Sequence, residues 1–137
     1  VPKTPKDTLM AKAVDASTRA YAPYSNFHVG AALACEDGTI FTGCNVENAS
    51  YGLTICAERN ALFAAVAAGY RAFTAVAITV QAEAMPYPCG ACRQVLAEFC
   101  DPATPVYIAS AKQPDVIEET TIGKLLPHTF SFTTKNP

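Results

Sequence analysis

Two short segments, Cys56-Ala57-Glu58 and Pro88-Cys89-Gly90-Ala91-Cys92, constrain this chain more than any other stretch. Together they bring three thiols and one carboxylate. A structural zinc takes four protein ligands. A catalytic zinc typically takes three and keeps its fourth position for water or substrate. Three cysteines therefore predict an open metal site, and Glu58 stands where a general acid/base would serve that position. Any fold the chain adopts must bring Cys56 to Cys89 and Cys92 across a domain-scale separation.

Helix geometry sharpens this expectation. Residues two apart on a helix do not share a face, so Cys56 and Glu58 reach one metal only if it lies over the helix's N-terminal end. Cys89 and Cys92 are three apart and share a face, again at a helix start. The pattern predicts zinc between two helix N-termini. Zinc with three thiolates is net negative, and helix N-termini favour both negative charge and the thiolate form. Arg59, in the same first turn, can donate hydrogen bonds to thiolate sulfurs and so preserve the metal's Lewis acidity. Other readings compete. Cys89 and Cys92 alone would suit a redox dithiol. A closed structural zinc would need a fourth ligand such as His28 or Cys100, and neither has motif spacing. A lone Arg is ordinarily a solvated charge, and Arg59 gains weight only from the turn it shares.

The rest of the chain bounds the setting. Its 137 residues suit one domain, residues 1–137, burying roughly two-thirds of the unfolded surface. No apolar run is long enough to cross a bilayer, and no secretory signal is visible. The six cysteines are not needed as staples in a chain this large and apolar, so a reducing, cytoplasmic setting is expected. Cys35, Cys44 and Cys100 lack ligand-like spacing and read as small buried hydrophobes. The net charge of −2 argues against nucleic acid as the main partner, while leaving small neutral ligands open.

Along the chain, Thr4-Pro5-Lys6-Asp7 reads as a helix start. A stripe of Leu9, Ala13, Ala16 and Ala20, with Met10, Val14 and Tyr21 beside it, carries that helix to Ala22-Pro23. Residues 27–34 and 39–43 read as strands joined at Asp37-Gly38. Residues 56–68 read as a helix closed by Gly69, and 61–68 are apolar on all sides, which predicts burial all round. A strand at 74–80, a helix at 89–99, a strand at 105–109, a short helix at 118–126 and a tail strand at 130–133 complete an α/β pattern opened by a hairpin.

At this point a resemblance emerges. The chain is similar, over nearly its full length, to the cytidine deaminases of the small, homotetrameric kind. It carries Tyr21-Ala22-Pro23-Tyr24-Ser25-Asn26-Phe27, Gly43-Cys44-Asn45-Val46-Glu47-Asn48, Cys56-Ala57-Glu58-Arg59, Pro88-Cys89-Gly90-Ala91-Cys92-Arg93-Gln94 and Leu125-Leu126-Pro127 in that order. The Cys-x-Glu and Pro-Cys-x-x-Cys pair is the three-cysteine form of the zinc deaminase signature. The resemblance implies a three-layer α/β/α sandwich around a five-stranded mixed sheet. It implies zinc on Cys56, Cys89 and Cys92, with Glu58 as proton shuttle, and hydrolysis of cytidine and 2′-deoxycytidine to the uridines with release of ammonia. It implies that Asn45 and Glu47 hold the ribose hydroxyl, that Phe27 packs on the pyrimidine, and that backbone near Ala57 fixes the exocyclic amine. Tyr51 and Phe130 match positions that approach a neighbouring subunit's site, so a homotetramer is expected.

The residues agree with part of this unaided. Two apart on extended chain, Asn45 and Glu47 point the same way, and an amide with a carboxylate suits a sugar alcohol. Phe27 by itself would read as a core residue, and Tyr51 and Phe130 as unremarkable aromatics. Asn60 and Thr54 depart from what many relatives carry, which bears on fine specificity. Three rivals have features against them. The Asn45-x-Glu47 pair disfavours an aminopyrimidine antibiotic as substrate. A purely structural zinc module has no use for Glu58. Editing of nucleic acid would want basic–aromatic interleaving.

Overall fold

The computed structural model describes residues 5–131. Helix α1 (Pro5–Ser17) leads into the hairpin β1 (Val29–Cys35) and β2 (Ile40–Cys44). A 3-10 turn (Tyr51–Leu53) precedes α2 (Ala57–Ala67). Then come β3 (Phe73–Val80), α3 (Gly90–Phe99), β4 (Pro105–Ser110), β5 (Glu118–Thr121) and α4 (Ile122–Leu125). The five strands form one sheet in the order β2-β1-β3-β4-β5. Only β3 and β4 pair in parallel; the other neighbours are antiparallel.

Strand periodicity divides the core into two layers. Ala31, Leu33 and Cys35 face one way and Ala32 the other, as alternation requires. On the first face α2, α3 and α4 bury Leu62, Leu96 and Ile122 against Leu33, Val76, Ile78 and Ile108. On the second, α1 lays Leu9, Met10 and Ala13 over Ala32, Ala77 and Ala109. Each fully buried leucine contributes about 1.5–3 kcal/mol. The result is the α/β/α sandwich that the resemblance implied.

Two glycines set how closely the layers approach. A Cβ on Gly30 would come within 2.1 Å of the Ala13 carbonyl oxygen, so β1 lies directly on the α1 backbone. A Cβ on Gly43 would lie 2.4 Å from the Ala61 nitrogen, so β2 is pressed equally hard on α2. Asn60 fastens the same contact by donating to the Cys44 carbonyl at 2.8 Å.

Topology then chooses one end of the sheet for function. β1 is antiparallel to both β2 and β3, so β2 and β3 run the same way. The exits of β2 and β3 and the entry to β1 therefore share one edge. Asn45, the segment after Val80 and Phe27 all emerge there, at the carboxyl end of the parallel pair, where α/β sheets commonly bind ligands.

Several expectations need correction. α1 ends at Ser17 rather than near Ala22. Thr18, Arg19 and Ala20 tighten into bonds three residues back, and Tyr21 instead pairs with the segment after β2, donating to Asn45 O and accepting from Glu47 N. Tertiary pairing overrides the helical stripe there. α2 is not buried all round: Ala57, Ala61, Leu62 and Ala65 face the core, while Phe63, Ala64 and Ala67 are exposed. It lies in an outer layer and has the sheet on one side only. Gly69, at φ +102°, closes it, with Tyr70 N–H bonding back to Ala65 O. Residues 118–121 are not helical. Glu118–Thr121 pairs antiparallel with β4 as the fifth strand, and only Ile122–Leu125 is helix, capped by the Thr121 hydroxyl accepting from Lys124 N. Phe130 and Ser131 form no strand, and the rest of that expected tail strand, like the Thr4 cap, lies outside the described residues. Cys35 and Cys100 are buried as expected, but Cys44 is only half-buried.

Candidate metal centre

Both ligand-bearing helices begin on a cysteine. Cys56 is the N-cap of α2 and Cys89 the N-cap of α3, each with extended backbone. Cys92 lies one turn into α3. The three Sγ atoms lie within 4.8 Å of one another, and those of Cys56 and Cys89 are 3.8 Å apart. Ligands about 2.3 Å from a tetrahedral zinc are about 3.8 Å from each other, so the observed separation fits the ion. Among the described residues no other group of cysteine, histidine and acidic side chains is so arranged. His28 pairs with Asn26, and Cys100 is a buried thiol pushed up to about 12 by desolvation. Neither joins the cluster as a fourth ligand.

The electrostatics match this donor set. Cys56 is pushed down to about 5, first by a hydrogen bond from the Cys92 thiol and then, against the cost of burial, by Arg59. The same contact, together with burial, drives Cys92 up. Arg59 Nη2 donates to Cys56 Sγ at 3.3 Å, as expected from their shared turn. Its Nε is buried without a partner.

Glu58 is 4% exposed, and its Oε1 has no hydrogen-bond partner. Burial raises its pKa to about 7, helped by charge on Cys56 and opposed by its own backbone N–H. A buried carboxylate oxygen left unsatisfied costs free energy. Here it shares one cavity with Cys56, Cys89 and Ala57, where a water or a ring nitrogen can complete it.

That cavity, about 510 Å³, continues from the thiols to Phe27, Asn45 and Glu47. Phe27 is 41% exposed, so it is a wall of the cleft rather than a core residue. Asn45 is buried and already engaged: Oδ1 accepts from Val29 N at 2.9 Å and Nδ2 donates to Phe27 O at 2.8 Å. Glu47 accepts from Tyr24 N, Ser25 N and the Ser25 hydroxyl. These bonds, the hydroxyl first, hold its carboxyl below the usual range. Asn26, at φ +58°, makes the left-handed bend that turns Phe27 inward; asparagine tolerates that region.

Tyr51 and Phe130 do not line this cavity. Tyr51, 75% exposed on the 3-10 turn, stacks edge-on against Tyr24. Together they border a second cavity of about 420 Å³ that shares Ser25, Glu47 and Thr54 with the first. Phe130 is 67% exposed, and its carbonyl accepts from Gln94. Sequence reasoning gave no role to Ser25, Pro86 or Tyr87, which also line the first cavity. The Pro-x-Pro pattern just before Cys89 was the available signal for the last two.

Comparisons with known proteins converge on this geometry. The family described as "Cytidine and deoxycytidylate deaminase zinc-binding region" matches residues 3–108. A cytidine deaminase of Sporosarcina psychrophila is 54% identical over 91% of this chain and 90% of its own length. One from Halalkalibacterium halodurans is 48% identical over 92% of this chain and 94% of its own. A crystal structure of cytidine deaminase from Burkholderia pseudomallei superposes with a TM-score of 0.84 at 50% identity, covering 90% of this chain and 97% of that one.

Proposed function

The chain belongs to the cytidine and deoxycytidylate deaminase zinc-binding family, and on that footing we propose how it works: it is a zinc-dependent cytidine deaminase in which Glu58 moves the protons. The observation that carries this reading is the unpartnered Glu58 Oε1, buried in one cavity with two of the three clustered thiols. Cys56, Cys89 and Cys92 would hold the zinc. Zinc held there supplies Lewis acidity that lowers the pKa of water toward neutrality. Glu58 takes a proton from the attacking water as its oxygen adds to C4. It delivers that proton to N3, then carries the proton of the new C4 hydroxyl to the amine, so that the C4–N bond breaks, ammonia leaves and the oxygen stays as the C4 carbonyl. A carboxyl near pH 7 can serve in both directions at neutral pH. The Ala57 backbone, at the helix start, orients the exocyclic amine.

Substrate selection follows from the other half of the cavity. Asn45 and Glu47 bind the sugar hydroxyl, and Phe27 packs on the pyrimidine. With that contact made to a hydroxyl common to ribo- and deoxyribonucleosides, 2′-deoxycytidine would be a substrate as well. An ultraviolet assay tests this directly. Cytidine should be consumed, a chelator should abolish the activity, and free cytosine should be far poorer because it forfeits the sugar contacts. Equal kcat/KM for base and nucleoside would overturn the sugar assignment.

We also propose that residues 1–137 act as one domain within a homotetramer, in a reducing cytoplasm that keeps the ligand thiols free. Exposed Tyr51, Leu53, Phe63 and Phe130 support apolar contacts between copies. Tyr51 and Phe130 would then complete a neighbour's site. Phe130→Ala should impair catalysis at unchanged zinc content, and solution size measurement checks the assembly.

A further inference from the structure

The wall of the cleft beside the thiols is the segment between β3 and α3, residues 81–89, which forms neither helix nor strand. Both its ends are fixed. Gln81 donates to His28 O through its backbone and to the Ser17 hydroxyl through its side chain. At the other end Arg93 donates to Pro88 O at 2.7 Å and to Leu125 O at 2.9 Å. Among the described residues, the stretch between Glu83 and Tyr87 makes one hydrogen bond to a distant part of the molecule. The Tyr87 phenol donates to Glu118 Oε1, on the edge strand β5, at 2.6 Å.

Tyr87 stands between Pro86 and Pro88. A following proline keeps Tyr87's own backbone extended, and the preceding one has a fixed φ. The stiff backbone on either side fixes where the half-exposed ring is attached, and the bond to Glu118 ties its far end. Tyr87 and Pro86 line the same cavity as Glu58 and Cys89. The sugar contacts proposed above come from other segments, at Asn45 and Glu47. Tyr87 is thus part of the cleft's wall at the thiol end, where the reacting carbon must lie.

We propose that Tyr87, clamped by Glu118, is a specificity-determining residue that limits the substituents a pyrimidine nucleoside can carry next to its reacting carbon. This rests on the deaminase reading given above. With N3 served by Glu58, bulk on C5 or on the exocyclic amine is what meets the remaining wall. The clamp matters because an unanchored ring could swing aside, and a wall that moves does not select.

The test compares kcat/KM for cytidine with that for a C5-propynyl and an N4-methyl cytidine. Zinc content is measured on every variant. Tyr87→Ala should raise the ratio of substituted to plain substrate by about tenfold or more, the scale on which apolar pockets discriminate. Tyr87→Phe keeps the ring but loses the anchor and should relax the ratio partway. Glu118→Ala should match it, and the two changes combined should do no more than either alone. An unmoved ratio in Tyr87→Ala with zinc retained would overturn the proposal. So would an equal loss on all substrates, which marks a merely structural residue. Failure of the wild-type protein on cytidine itself would instead bring down the deaminase reading.

Discussion

The two halves of the cleft are finished to different degrees by the chain itself. At the thiol end, demand is unmet: Glu58 Oε1 and Arg59 Nε are buried without partners, and three sulfurs crowd together. At the Asn45 end, demand is met: Asn45 and Glu47 spend their polar atoms on the backbone and hydroxyl groups around them. The first half is costly to fold and is completed by what binds it. The second is pre-organised, and the side chains proposed to bind the sugar double as structural ones. Substitutions should therefore separate activity from stability at the thiol end and couple them at the other.

The largest separation is expected at Glu58. Glu58→Gln should keep the fold and the zinc, because it removes a charge whose burial is unfavourable. Turnover should fall by more than the ~10²–10⁴ of a single proton transfer, since the proposed mechanism has the residue serve several. Steady-state kinetics beside metal analysis decide it, and near-wild-type activity would sink the mechanism.

Removal of zinc comes next and reads stability instead. A ligand bound to the native state alone stabilises it by mass action, and clustered thiols leave several kcal/mol to lose. Chelated protein should melt lower, by on the order of 10 °C. An unchanged melting temperature would show that the thiol end is self-sufficient and that the contrast between the halves is wrong.

That contrast also explains what could be read from the chain beforehand. The metal end is local in sequence: Cys56, Glu58 and Arg59 occupy one helical turn and Cys89 and Cys92 another, so spacing and the deaminase signature it matches pointed to it together. The end proposed to bind the sugar is assembled from two strand ends, the entry to β1 and the exit of β2, whose proximity follows from strand direction, which periodicity does not encode. Asn45 and Glu47 were accessible chiefly through resemblance, and Ser25 only once its hydroxyl was seen on Glu47. In the fold the same division holds. Long apolar strands were legible, whereas Glu118–Thr121, polar and short, is a strand only because β4 offers it an edge.

A third test crosses the first. Asn45→Ala strips partners from Val29 N–H and Phe27 C=O, each costing about 1–3 kcal/mol if left unsatisfied. The variant should lose stability that Glu58→Gln keeps, while retaining its zinc and showing a raised KM for cytidine. Chemical denaturation of both variants checks it. An Asn45→Ala protein as stable as wild type would mean that its bonds are not structural.

The smallest effect belongs to Ser25, whose hydroxyl is the leading cause of Glu47's depressed pKa. A carboxyl depressed in the folded protein gives its contribution fully above its ordinary value and loses it as pH falls through the lower, folded value. Wild-type KM should therefore hold steady through the ordinary carboxylate range and rise only below it. Ser25→Ala leaves Glu47 the N–H groups of Tyr24 and Ser25, so the carboxyl stays in place but is less depressed. Its KM should begin to rise at higher pH than wild type, with zinc content and neutral-pH kcat little changed. Acid also protonates the ligand thiols in both proteins, so the informative quantity is the ratio of the two KM values, in which that shared loss cancels. A ratio that climbs as pH falls into the carboxylate range would tie Glu47's ionised form to nucleoside binding. A flat ratio would mean that the backbone donors alone hold Glu47 ionised, and the hydroxyl's contribution would have to be found in positioning instead.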